Sequence, residues 1–156
     1  MEVLKEYLKV TSSYRENYIM SNSLIKDNVG IDELYYHVCL DSDIVLNKLN
    51  ISPSRSGYKY WKDAIFITII NPKMEISICK DIYMLIAKKY KKTYSAIERA
   101  MRLCFEDVMY YISKTETNLV SKYLKNSLLY PHNREILLKL VELIVSKNFQ
   151  SNKHKL

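Results

Sequence analysis

DIYMLIAKKYKKTYSAIERAMRLCFEDV, residues Asp81 to Val108, is the stretch on which the fold turns. In its second half Ile97, Ala100, Met101, Cys104, Phe105 and Val108 recur at i, i+3, i+4, i+7, i+8 and i+11, the spacing that lines one face of an α-helix. In its first half Ile82, Leu85 and Ile86 predict the buried face of another helix, and a short basic turn, Tyr90 to Tyr94, joins the two. Ser95 followed by Glu98 has capping-box spacing, in which hydroxyl and carboxylate satisfy otherwise unpaired amides at a helix start; Thr93 is a competing cap. Either start leaves Ala96, Arg99, Arg102, Leu103 and Glu106 pointing away from the core.

Outward from this segment, apolar residues keep helical spacing almost throughout. Few stretches alternate with period two, and only two glycines, Gly30 and Gly57, are available for tight turns. The expected class is all-α: a compact multi-helix domain containing a helix-turn-helix, with a short helical N-terminal arm. Helices are predicted at about 44–49, 58–70, 76–89, 95–112, 116–126 and 132–148. Pro53 and Gly57 punctuate the loop ISPSRSG, and Asn71-Pro72 closes the apolar helix before it, because proline disfavours helical geometry in the preceding residue. The last helix follows Pro131 with Ile136, Leu137, Leu140, Val141, Ile144 and Val145 on one stripe. Residues 1–43 are read as an acidic helical arm and residues 44–156 as a helix-turn-helix domain. Within the arm Val3, Leu4, Tyr7 and Leu8 share one face and Ile31, Leu34, Tyr35, Val38 and Cys39 another, around the polar, weakly patterned SSYRENYIMSNS. A partly disordered arm is the competing reading.

Charge divides along the chain in the same way. Residues 1–43 hold four Lys or Arg against eight Asp or Glu, a net of −4, whereas residues 44–156 hold 20 against nine, a net of +11. Such asymmetry suits a domain facing a polyanion, although a lysine surplus also describes a solvated face. With two glycines the chain cannot build a Gly-rich phosphate cradle. His37, His132 and His154 stand apart without a metal or nucleophile motif, and Cys39, Cys79 and Cys104 have neither disulfide nor zinc spacing. No enzyme, cofactor or metal is expected. The N-terminus mixes acids with bases, and the longest apolar run, Ala64 to Ile70 broken by Thr68, falls far short of a membrane span. A cytoplasmic protein with no membrane partner is expected.

Two helices joined by a tight turn, the second exposing arginines near its start, fit the major groove, which admits an α-helix. Any amphipathic helical pair also carries surface arginines, so the pattern leaves a purely structural pair open. The residues decide more. Gly57, Tyr58, Tyr60, Ala64 and Ile65, then Ile86-Ala87-Lys88-Lys89-Tyr90, then Thr93-x-Ser95-x-Ile97-Glu98-Arg99-Ala100-Met101-Arg102 resemble the C-terminal effector domain of the stage-zero sporulation response regulator. The similarity runs without an evident gap from Val45 to Glu106, and Pro131-x-Asn133-x-Glu135 looks like the start of that domain's last helix.

The resemblance implies a compact all-helical domain that binds double-stranded DNA through the helix holding Glu98 and Arg99, acting as a transcriptional regulator often paired on its sites. The chain departs from the family in three places. Ala96 stands where the family has an arginine, Leu103 where it has a histidine, and 43 residues replace its phosphoacceptor receiver, so control by its own aspartyl phosphorylation is not expected. In this reading Arg99 reads bases, with Glu98 either accepting from cytosine or capping the helix, and Ala96 and Leu103 packing on thymine methyls. Lys88, Lys89, Lys91, Lys92, Thr93, Ser95 and Arg102 are the expected phosphate contacts. The arm is expected to pack on the domain or on a second copy, making a homodimer, and RNA polymerase or its sigma factor is the further protein partner. The rival is an interaction module that binds a related regulator, RNA polymerase or a sporulation component without reading DNA.

Overall fold

The computed structural model describes residues 14–22, 25, 28–70, 78–114, 118–127 and 132–147. Among these residues the regular structure is entirely helical, as the spacing predicts: α1 (14–21), α2 (Ile31–Lys48), α3 (Ser56–Ile70), α4 (Ile78–Tyr90), α5 (Tyr94–Lys114), α6 (Leu119–Ser127) and α7 (Asn133–Ser146). None is long and apolar enough to cross a membrane.

α3 occupies the centre, packed on α2, α4, α5 and α7. A helix with so many neighbours must be largely apolar, and SGYKYWKDAIFITII buries Tyr58, Tyr60, Trp61, Ala64, Ile65 and Ile69 together while Lys59 stays exposed. Its closest approach is to α5. There Gly57 faces the Ala100 carbonyl, so that a Cβ at 57 would lie 2.6 Å from Cys104 Sγ and 2.8 Å from the Ala100 carbonyl carbon. One turn on, Trp61 Nε1–H donates to the Met101 carbonyl at 2.9 Å, and its ring meets Phe105 edge-on with centroids 4.7 Å apart. The predicted stripe of α5 is thus the face that meets α3: Ile97, Met101, Cys104, Phe105 and Val108 are buried and Ala100 half-buried. Burial pushes the Cys104 thiol up and, likewise, that of Cys39, which keeps both protonated and unreactive.

Several sequence expectations are corrected. α2 does not begin at Ile44 but runs unbroken from Ile31 across the 43/44 division, with Leu34 and Val38 as deeply buried as Val45 and Leu46. Ile31 and Leu85, expected inside, are 61% and 42% exposed and face a cavity of about 370 Å³ between α2, α3 and α4. α4 instead buries Ile82, Tyr83 and Ile86. In Tyr83 the ring takes the apolar position while the hydroxyl accepts from Asn133 Nδ2 at 2.8 Å.

The polar middle of the arm is helical as α1, although it carries no apolar stripe. Tyr18 is wholly buried and its hydroxyl donates to Asp41 Oδ2 at 2.7 Å, an oxygen that also pairs with Lys147 Nζ. Ser21 Oγ donates to the Val145 carbonyl at 3.1 Å. α1 is therefore fastened to α2 and to the C-terminal end of α7 by satisfied polar groups, a means that hydrophobic periodicity does not reveal. The apolar set Val3, Leu4, Tyr7 and Leu8, together with Pro72, Pro131 and the side chain of Cys79, lies outside the described residues.

Helix ends are closed without glycine. Asn50 and Lys91 take left-handed φ values of 61° and 53°, and Ile51 N–H to the Leu46 carbonyl (3.1 Å) and Lys92 N–H to the Ala87 carbonyl (3.0 Å) complete the same six-residue closure. Asparagine tolerates this region, whereas a lysine Cβ is strained in it. Lys91→Gly should therefore raise the unfolding free energy by about 0.5–1 kcal/mol, the αL relief exceeding the added chain entropy of glycine. Urea midpoints of the two proteins measure it, and an unchanged or lower midpoint would count against strain at this turn.

Candidate nucleic-acid interface

α4, the turn Lys91–Thr93 and α5 make the helix-turn-helix. Thr93 Oγ1 accepts the Ala96 N–H at 3.1 Å, so α5 starts at Tyr94 and Thr93 is the cap. The capping-box reading of Ser95 and Glu98 is thereby corrected: Ser95 lies exposed in the first turn, and Glu98 turns along the helix instead of back to its start. With no acidic residue in the first turn of α5, its free amides and positive dipole end face solvent unneutralised.

On the outward face Ala96, Arg99 and Leu103 follow at i, i+3 and i+7, all exposed. Leu103 is 38% exposed, and its carbonyl accepts from Arg55 Nη1 at 3.2 Å. Beside them runs an ion-paired row. Arg102 Nε donates to Glu98 Oε1 at 3.2 Å and Nη1 to Glu106 Oε1 at 3.1 Å, so its charge is matched on both sides. Arg99 has no ion pair or hydrogen bond from its side chain among the described residues. The one uncommitted guanidinium of the helix therefore sits between two apolar side chains. The Glu98 backbone is held separately, its carbonyl accepting from Asn133 Nδ2 at 3.3 Å, which fixes α5 to the start of α7.

Of the basic residues around the turn, Lys88, Lys91 and Lys92 are exposed and unpaired among the described residues. Lys89 is different. Its ammonium lies 3.0 Å from Asp63 Oδ2, and Asp63 is 2% exposed. The same carboxylate accepts the Tyr90 hydroxyl on Oδ2 at 2.6 Å and the Tyr35 hydroxyl on Oδ1 at 2.7 Å. Burial first, then hydrogen bonding to Asp63, pushes both tyrosine hydroxyls far above their usual range, so they remain donors.

Sequence reasoning brought Ala96, Glu98, Arg99, Arg102 and Leu103 together on one helix, and the structure places them so. It missed Asp63 and Arg55. For Asp63 the signal was present: an acid inside the most apolar helix demands partners. For Arg55, which pairs with Asp107 of α5 from the loop ahead of α3, sequence separation hides the contact.

A family model described as sporulation initiation factor Spo0A C terminal matches residues 43–144. No solved structure matches the chain.

Proposed function

Because this chain belongs to the Spo0A C-terminal family, a family of DNA-binding domains of sporulation transcription factors, we infer that it is a sequence-specific regulator that reads duplex DNA with α5. The observation that carries this reading is the isolation of Arg99. An exposed, unpaired guanidinium on the outward face is free to meet guanine O6 and N7 together, the commonest specific contact in the major groove. Ala96 and Leu103 on either side cannot hydrogen-bond, and both suit thymine methyls. Glu98, committed to Arg102, supports that neighbour more than it reads cytosine.

Phosphates fall to the groups around the turn: Lys88, Lys91, Lys92, the Thr93 and Ser95 region at the positive end of α5, and Arg102 once it exchanges a glutamate for a phosphate. Pairing of two copies on one operator and contact with RNA polymerase or its sigma factor extend the same reading. An interaction module without DNA reading is favoured only by the two apolar side chains on the outward face, and the unpaired cations around them argue for the polyanion.

Selection from a random duplex library tests it. Arg99→Ala should cost about 1–3 kcal/mol on the preferred site and relax the base choice at one position, whereas Lys92→Ala should weaken all sequences alike. If Arg99→Ala instead weakens every sequence equally, Arg99 is a phosphate clamp and base reading by α5 is wrong.

A further inference from the structure

Two lysines lie against the ring of Tyr90, the last residue of α4, in unlike surroundings. Lys89 Nζ is 5.2 Å from the ring centroid and salt-bridged to Asp63. Lys59 Nζ, reaching over from α3, is 4.8 Å from the same centroid and 5.6 Å from that of Tyr60. Lys59 is exposed and has no carboxylate partner among the described residues. Asp63, one turn along α3, is already shared by Tyr35, Tyr90 and Lys89. Aromatic rings attract a cation through their quadrupole but carry no net charge, so they position the Lys59 ammonium without neutralising it.

From this contrast we propose that Lys59, and not Lys89, is the lysine that meets a DNA phosphate beside the helix-turn-helix turn, an assignment resting on the DNA-binding reading above. Drawing Lys89 to a phosphate strips the cation from a buried carboxylate, which is strongly unfavourable. Drawing Lys59 out requires only that it leave two ring faces. The site thus gains a residue from α3 that lies far from the motif in sequence, and Lys89 becomes a positioning residue that holds Asp63 and, through it, Tyr90.

Salt titrations of the full chain on random-sequence duplex DNA, followed by fluorescence anisotropy, separate the two lysines. Loss of one phosphate contact reduces the slope of log K against log salt by about 0.9 and weakens binding about eightfold at 0.1 M salt. Lys59→Ala and Lys59→Gln should both show this, as should Lys92→Ala. Lys89→Gln, whose amide still donates to Asp63, should keep the wild-type slope, and so should Lys62→Ala, whose ammonium is held by Asp43 at 3.0 Å. A wild-type slope in both Lys59 variants, or a slope in Lys89→Gln as shallow as that of Lys92→Ala, overturns the assignment while DNA binding itself stands. Failure of the wild-type chain to bind at low salt removes both readings together.

Discussion

Gly57→Ala is expected to lower the unfolding free energy by about 3 kcal/mol, the upper range for overpacking a tight interface. Alanine inside a helix ordinarily stabilises it by about 1 kcal/mol relative to glycine, so the expected sign is reversed. The reason is the obstacle. The new methyl would meet the Ala100 carbonyl group and Cys104 Sγ, and backbone cannot swing aside as the end of a flexible side chain can. α3 and α5 must part, which also breaks the Trp61 bond to the Met101 carbonyl and opens the Phe105 contact. Gly30 provides the control: nothing lies within 4 Å of a Cβ there, and the residue caps α2 without a side-chain bond. Urea denaturation followed by helical circular dichroism compares the variants, and a Gly57→Ala midpoint at or above wild type would refute the close approach of α3 and α5.

The second large effect is electrostatic. If about five phosphates are neutralised, log K should fall with log salt at a slope of about −4 to −5, a loss of several hundredfold between about 50 and 200 mM. Lys88, Lys91, Lys92, Arg102 and Lys59, the exposed cations proposed above as phosphate contacts, would supply that number. A flat response, or no binding at low salt, would leave the interaction-module reading in possession. Deleting residues 1–43 to ask whether the acidic arm contributes is not a clean experiment, because the cut severs α2 and removes Leu34 and Val38 from the core. Neutralising acids that stand exposed, such as Asp32 and Glu33, leaves that core intact.

What was legible in the sequence was what repeats locally. The stripe from Ile97 to Val108 specified α5 because six apolar positions at helical spacing admit one burial face, and α3 announced its burial by being the most apolar segment. Helix ends were less legible: Thr93 and Ser95 are both good caps two positions apart, and the choice depends on which hydroxyl reaches a free amide. The exposure of Ile31 and Leu85 could not be read from spacing, since it depends on how α2 and α4 diverge over α3. The partners in polar connections were hidden, even where, as for Asp63, the need for them showed. Tyr18, Asp41 and Lys147 lie far apart in the chain, and nothing in their local sequence says that they meet. The ion pair of Lys89 is hidden in the same way, because its charge is visible in the sequence and its partner Asp63, 26 residues away, is not visibly near.

Asp63 has a mechanical consequence. A carboxylate is a rigid plane with two oxygens, one gripped by Tyr35 of α2 and the other by Tyr90 and Lys89 at the end of α4. Turning that plane to improve one grip loosens the other, although the carboxylate itself is almost wholly shielded from solvent. α2 and the last turn of α4 are thus pinned to the same point on α3, like two spokes keyed to one axle. A torque applied to α2 would be felt, through Asp63 as well as through the packing of α2 on α3, at the residues from which α5 sets out.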